Sequence, residues 1–138
     1  RYNRSSIIDK IRVIALYKSR IQVLQQDGVS VINKYARDSS RFFYVDPPYF
    51  VKGANLYLNA FNLEDHEKLA NTLLKNKQAK WLLSYDNEQA ILDLYPGQPY
   101  EVFSLKYSAH HNTKSGSELM IYSDAIDPEI IETISQDS

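Results

Sequence analysis

The segment Asp46-Pro47-Pro48-Tyr49 contains residue types that could activate a planar amino group. An amine attached to an aromatic ring is a poor nucleophile because its lone pair is delocalised into the ring, so a catalyst has to hold both N–H bonds and free that lone pair. The carboxylate of Asp46 can accept one of these hydrogen bonds, and the backbone C=O of Pro47 can accept the second. Acceptors fixed in this way stabilise the charge that develops on the nitrogen as it attacks.

The segment follows Phe42–Val45, a continuous apolar run of the kind found in buried strands. A residue before proline favours extended backbone, which carries Asp46 straight off the strand end. In open α/β sheets, ligands bind outside the carboxyl ends of the strands, so this is the expected place for a site. The alternative interpretation is purely structural, because Pro-Pro often ends a strand and Asp favours turns.

Apolar periodicity alternates between 3.6 and 2 along the chain, which predicts an α/β layer structure with a Rossmann-like, mostly parallel sheet. A long polar loop, Ser108–Ser117, separates the last two strands and predicts a C-terminal antiparallel hairpin. We assign Trp81 and the Phe42-Phe43 pair to the core. Helices are predicted after the N-caps Ser6, Asn62 and Asn87 and over Val29–Ala36, and further strands over Ile21–Leu24, Trp81–Ser84, Tyr100–Tyr107 and Leu119–Tyr122.

The composition is that of a globular domain: 138 residues, 43% apolar, 24% charged and no cysteine. The lack of cysteine excludes disulfide-stapled scaffolds and cysteine-ligated metal sites, and it favours a cytoplasmic location. The longest apolar run, Val13–Tyr17, has five residues, far fewer than the roughly 20 of a membrane-spanning helix. We therefore expect no membrane segment.

The net charge of −1 conceals an uneven distribution. Residues 1–20 hold six basic residues and one acid, whereas residues 118–138 hold six acids and no base. The basic end could face phosphate, or it could be an ordinary solvated helix surface. Net charge therefore does not exclude a nucleic-acid partner.

The sequence resembles the catalytic motif of amino-group methyltransferases at Phe43-Tyr44-Val45-Asp46-Pro47-Pro48-Tyr49. The surroundings are similar to Dam-type adenine-specific DNA methyltransferases, a family that includes enzymes of restriction-modification systems. The resemblance spans about residues 1 to 124, which we interpret as the catalytic portion, with 125–138 as an acidic tail. Weaker matches follow in the order and spacing of that family: Arg1-Tyr2-Asn3-Arg4, Leu56-Tyr57, Glu64-Asp65-His66, Ser84-Tyr85-Asp86-Asn87, Tyr107-Ser108-Ala109 and Ile121-Tyr122-Ser123-Asp124.

The resemblance implies that S-adenosylmethionine is the cofactor and that duplex DNA with a flipped adenine is the substrate. It places Asp46 beside both. Because an amine inside a duplex cannot be reached without flipping, the ring of Tyr49 would serve as a stacking surface for the extruded base. Asp27, after the predicted strand Ile21–Gln26, is a second candidate for the cofactor, or else a solvated turn residue before Gly28.

The remaining candidates are residues that could contact DNA. Lys52 and Asn55 lie in a loop that could close over the site or could be an ordinary surface loop. Tyr107 could form a second aromatic wall of the base pocket or pack in the core, and Lys114 and Arg4 could contact phosphate. The three histidines do not have metal-ligand spacing, so no metal site is expected.

The family uses a glycine-rich loop near its N-terminus to approach the cofactor, but the four glycines here are isolated. We therefore interpret the chain as a C-terminal portion that needs the N-terminal half of the enzyme, with residues 1–4 as the possible end of the target-recognition region. Alternatives are an amino-group methyltransferase acting on RNA or protein, a non-catalytic fragment that binds DNA or a methylase subunit, and a chance motif in an unrelated domain.

Overall fold

A computed structural model describes residues 3–51, 61–109 and 112–127, together with 129 and 131. Helices and strands alternate between residues 28 and 109, as expected for the α/β class. The helices are α1 (Arg4–Leu16), α2 (Gly28–Tyr35), α3 (Leu63–Lys75) and α4 (Gln89–Leu94), with a short 3-10 helix at Lys18–Arg20, and the strands are β1 (Phe42–Val45), β2 (Lys80–Asp86), β3 (Tyr100–Ala109) and β4 (Asn112–Tyr122).

The four strands form one mixed sheet in the order β1-β2-β4-β3. β1 and β2 run parallel, with Val45 opposite Leu83, whereas β4 pairs antiparallel with both β2 and β3. The predicted C-terminal antiparallel hairpin is confirmed, but the prediction of a mostly parallel sheet is wrong for the described residues. The reason is that β4 returns from the hairpin directly against β2, which adds a second antiparallel pairing.

Helix α3 lies in the connection between β1 and β2, which their parallel arrangement requires. Its first turn is fixed by a reciprocal capping box: the Asn62 side chain accepts from Asp65 N–H, and the Asp65 carboxylate accepts from Asn62 N–H, each at 3.0 Å. The predicted cap at Asn62 is confirmed. The other two predicted caps are wrong, because Asn3 caps α1 in place of Ser6, and Glu88 occupies the N-cap position of α4 in place of Asn87.

The main core lies between one face of the sheet and helices α2, α3 and α4. Because side chains alternate along a strand, Trp81, Leu83 and Tyr85 of β2 share this face. The assignment of Trp81 to the core is confirmed, and Phe43 packs against it, but Phe42 is 51% exposed. The helices contribute Ile32, Leu69, Leu73 and Ile91 to the same cluster.

Two predicted boundaries are corrected by backbone pairing. The segment Ile21–Leu24 is not a strand, and Val23 is 91% exposed. A strand forms only where a neighbouring strand pairs with its backbone. Among the described strands β1 pairs with β2 alone, so Ile21–Leu24 does not add a strand to the sheet. The predicted loop Ser108–Ser117 instead belongs largely to β3 and β4, because cross-strand pairing continues through polar residues as far as Ala109 and Asn112.

Apolar residues remain exposed on the N-terminal part of the chain. No residue of α1 is buried, and Ile11 and Ile14 are 60% and 58% exposed. The outward-facing Tyr44 of β1 is 63% exposed. Within the described ranges, no helix has the length and apolar character needed to cross a membrane.

The capping box predicts a measurable contribution of Asn62 to stability. Asn62→Ala is expected to lower the free energy of unfolding by about 1 kcal/mol, because an N–H of the first helical turn loses its acceptor. Urea unfolding measures the change. Asn71→Ala, an exposed position inside the same helix, is the control and is expected to cause no loss. Equal losses in both variants would contradict the prediction.

Candidate active site

Asp46 lies at the carboxyl end of β1, beside the carboxyl end of β2. Because Val45 is opposite Leu83, the next residues along the two parallel strands, Asp46 and Ser84, are neighbours. Ser84 is buried, and its hydroxyl donates to Asp46 Oδ1 at 2.9 Å. The Asp46 side chain is exposed, and Ser84 is its hydrogen-bond donor within the described residues. One carboxylate oxygen is therefore fixed while the side chain stays open to solvent.

A second hydroxyl extends this contact. The Tyr44 hydroxyl lies 3.3 Å from Ser84 Oγ. Because a serine hydroxyl has a single proton, which Ser84 donates to Asp46, Tyr44 is the donor in this pair. The resulting chain, Tyr44 to Ser84 to Asp46, orients the carboxylate from both strands of the parallel pair.

Tyr49, at the end of the motif, is fixed by a buried carboxylate. Its hydroxyl donates to Glu118 Oε2 at 2.9 Å, and Glu118 is 4% exposed near the start of the segment of β4 that pairs with β2. The half-buried ring of Tyr49 packs against the main core. The hydroxyl and the ring together hold Tyr49 in one orientation beside Asp46.

The two residues that follow the motif are held by a second buried carboxylate. Phe50 N–H donates to Asp86 Oδ1 at 2.8 Å, and Val51 N–H donates to Asp86 Oδ2 at 2.9 Å. Asp86 is the last residue of β2, is 2% exposed, and is opposite Glu118 in the β2–β4 register. The segment from Asp46 to Val51 therefore crosses the end of the sheet with attachments to both β2 and β4.

An aromatic cluster lies beneath this segment, centred on His66 of α3. The rings of Phe50 and Phe61 each lie 5.3 Å from the His66 ring, and His66 Nδ1 lies 2.6 Å from the Tyr85 hydroxyl. Burial lowers the pKa of His66, although Asp65 and Asp86 oppose the shift. Burial, with a contribution from Asp86, raises the pKa of Tyr85 above its usual range. Both groups are therefore neutral near pH 7.

The structure brings together Asp46, Pro47 and Tyr49, but it does not group all of the predicted residues with them. Asp27 caps α2, and its Oδ1 accepts from both the N–H and the hydroxyl of Ser30. These hydrogen bonds lower the pKa of Asp27. Because the strand before it is absent, the sheet-edge position that suggested a cofactor contact is not observed, and the cofactor role of Asp27 stays a prediction.

The predicted DNA-contacting residues are only partly described. Arg4 is exposed at the start of α1. Tyr107 and Lys114 are opposite each other in the β3–β4 register, but their side chains lie outside the described part of the structure, as do Lys52 and Asn55 entirely. Among the described residues, no group of three or more His, Asp or Glu side chains is arranged to hold a metal ion.

Sequence reasoning did not single out Ser84, Asp86 or Glu118 as parts of the site. A usable signal existed for the first two: they are polar residues two positions apart at the carboxyl end of an apolar strand, so they share a face there. Glu118 carried no such signal. Its contact with Tyr49 depends on how β4 pairs with β2, which the linear sequence does not state.

Comparison with known proteins supports one family. The sequence model described as D12 class N6 adenine-specific DNA methyltransferase matches residues 2–112, which is more than half of the chain. The matched range includes the motif at Asp46, Ser84 and Asp86, and it ends before Glu118. No curated protein matches the chain significantly.

Burial of His66 predicts a pH dependence of stability. The folded-state pKa of His66 lies below its unfolded value. As pH falls through about 6.5, the unfolded chain therefore binds a proton that the folded chain does not, and the free energy of unfolding decreases. The contribution of this residue is at most about 1.4 kcal/mol per pH unit.

Urea unfolding of the wild-type chain and of His66→Gln between about pH 7.5 and about pH 5.5 measures this contribution. The variant is expected to have the smaller decrease. Lys68→Gln, an exposed neighbour on α3, should behave as the wild type. Identical pH dependence in all three proteins would show that His66 does not titrate as its burial implies.

Proposed function

The chain belongs to the D12 class N6 adenine-specific DNA methyltransferase family, whose members transfer a methyl group from S-adenosylmethionine to adenine in DNA, and from this premise we propose that Asp46 and Pro47 hold the target amine. The observation that carries the proposal is the exposed Asp46 carboxylate, fixed by Ser84 at the carboxyl end of β1. A fixed acceptor pays little reorganisation cost when charge develops in the reaction.

In the proposed mechanism, the carboxylate of Asp46 accepts one N–H of the adenine amine and the C=O of Pro47 accepts the other. With both protons held, the nitrogen lone pair would be free to take the methyl group of S-adenosylmethionine as its S–CH3 bond breaks, leaving a neutral thioether. The carboxylate of Asp46 would stabilise the positive charge on the nitrogen until one N–H proton is released to solvent. The Ser84 hydroxyl keeps one carboxylate oxygen in place, which leaves the second oxygen to face the amine.

An exposed carboxylate is compatible with S-adenosylmethionine, which supplies an electrophilic methyl group on a positively charged sulfur. We propose that Asp46 lies beside this cofactor as well as beside the base. Asp27 is our second cofactor candidate, as an acceptor for the amino group of its adenine. The Oδ1 atom of Asp27 is already committed to Ser30, so the contact would use Oδ2.

The DNA partner in this proposal is a duplex with the target adenine flipped out of the stack. Tyr49 is the stacking surface, because its hydroxyl contact with Glu118 and the packing of its ring against the core together hold it in place. We assign contacts with the surrounding DNA to Lys52, Asn55, Tyr107, Lys114 and Arg4. The activity would be site-specific, in a restriction-modification or Dam-like system.

We also propose that the N-terminal half of the same enzyme covers the exposed apolar surface around α1 and β1. Leu16, Val23 and Tyr44 are 81%, 91% and 63% exposed. Burying these exposed apolar side chains against a partner segment would be favourable. The outer edge of β1 is available for a further strand, since β1 pairs with β2 alone within the described sheet. A segment bound there would lie next to Asp46.

Removal of the Asp46 carboxylate tests the proposed chemistry. In the complete enzyme that carries this chain, Asp46→Ala is expected to lower kcat for methylation of adenine in duplex DNA by about 100-fold or more. Asp46→Asn retains an acceptor oxygen and should lose less. Transfer of labelled methyl groups measures the rate, with RNA and protein as the alternative substrates.

Asp93→Asn is the matched control, because Asp93 is an exposed carboxylate on α4 that contacts Gln89. It should leave the methylation rate unchanged. Retention of full activity by Asp46→Ala would overturn the proposal. Preferential methylation of RNA or protein would instead reassign the substrate.

A second test addresses the proposed N-terminal partner. The 138-residue chain alone is expected to show little or no methyl transfer and weak binding of S-adenosylmethionine. Addition of the N-terminal half as a separate polypeptide should restore both. Calorimetric titration with the cofactor and the labelled-methyl assay are the measurements, and robust methylation of DNA by the chain alone would refute the proposal.

A further inference from the structure

Asp86 differs from Asp46 in being fully buried, although both are at the carboxyl ends of neighbouring parallel strands. Its two carboxylate oxygens accept the N–H groups of Phe50 and Val51. We infer that Asp86 is a positioning residue for the proposed methyl transfer: it fixes the backbone after the motif and thereby sets where Tyr49 and Asp46 lie. This inference rests on the proposed function and assigns a role to a side chain outside the motif.

The chemistry of the contact requires a carboxylate. Two consecutive N–H groups converge on one side chain, at 2.8 and 2.9 Å, and each meets its own oxygen. A charged acceptor makes such bonds about twice as strong as neutral ones. An asparagine could accept only one of the two N–H groups, and its NH2 group would face the other donor. Asp86→Asn is therefore a nearly isosteric change that removes half of the contact.

The same strand holds the segment at both ends. Ser84 binds Asp46 before the two prolines, and Asp86 binds the backbone after Tyr49. Because Ser84 and Asp86 are two residues apart on one strand, they lie on the same face at a fixed separation. The distance between the two attachment points of the segment is therefore set by β2 and not by the segment itself.

Strand β4 supplies a third attachment, at Tyr49, which lies between the two that β2 supplies. Glu118 is opposite Asp86 in the β2–β4 register and accepts the Tyr49 hydroxyl at 2.9 Å. Residues 49, 50 and 51 are thus each bound to a buried carboxylate. Loss of the Asp86 contacts would free the backbone on the C-terminal side of Tyr49 and leave the ring held by its hydroxyl and its packing.

Hydrogen exchange in the unaltered 138-residue chain is the first measurement. Phe50 and Val51 belong to no helix or strand, so their amides should exchange rapidly unless Asp86 binds them. We expect protection in the wild type. In Asp86→Asn, the exchange of these two amides should rise by about 10-fold or more, while the amide of Leu83 in the core stays protected.

Kinetics of the complete enzyme is the second measurement. Asp86→Asn is expected to lower kcat by about 10-fold or more with little change in KM for DNA. The reason is that displacement of Asp46 and Tyr49 affects the geometry of the reacting groups more than the affinity for the duplex. Asp93→Asn, which keeps every attachment of the segment, is the control.

Three results would overturn the inference: rapid exchange of Phe50 and Val51 in the wild type, unchanged kcat in Asp86→Asn, or loss of protection throughout the variant. The last result would assign Asp86 to the stability of the sheet as a whole. Failure of the proposed function is separately visible, because Asp46→Ala would then remain active whatever the exchange of the Phe50 and Val51 amides shows.

Discussion

The parallel pairing of β1 with β2 is the constraint on which the candidate site depends. Asp46 continues from β1 and Ser84 belongs to β2, so the hydrogen bond between them exists only while Val45 stays opposite Leu83. A slip of one residue would turn the Ser84 side chain to the opposite face. The register is secured by burial, because Trp81 and Leu83 must face the helices. Core packing thus determines the orientation of an exposed carboxylate.

Three carboxylates lie in or beside the motif segment, and they differ in how far they are buried. Asp86 and Glu118 are buried and accept hydrogen bonds from the segment, which replace contacts with water that burial removes. Asp46 is exposed and bound through one oxygen by a neutral hydroxyl. A buried carboxylate that has its donors serves to hold structure, whereas one open to solvent can exchange water for a substrate group. For this reason the proposed mechanism assigns the substrate contact to Asp46 and not to Asp86 or Glu118.

Local sequence signals predicted the local features of this molecule. The strand over Phe42–Val45 and the Asn62 cap were confirmed, because each depends on residues within a few positions, although Phe42 and Tyr44 are exposed and not buried. The strand expected at Ile21–Leu24 was wrong because apolar residues alone do not supply a pairing neighbour. The roles of Asp86 and Glu118 were missed because their partners are 35 to 69 residues away in the sequence.

The candidate site lies at the end of an edge strand, β1, but residues of other strands hold it in place. β1 has four residues and one paired neighbour in the described sheet, which is a weak support for a candidate catalytic group. The segment is also held by hydrogen bonds to Ser84, Asp86 and Glu118. These residues belong to β2 and β4, each of which pairs with a strand on both sides. Within the described sheet, the other edge of β1 then stays available for a further segment beside Asp46. Rigidity on one side and an open edge on the other are what the proposed docking of a further segment beside Asp46 requires.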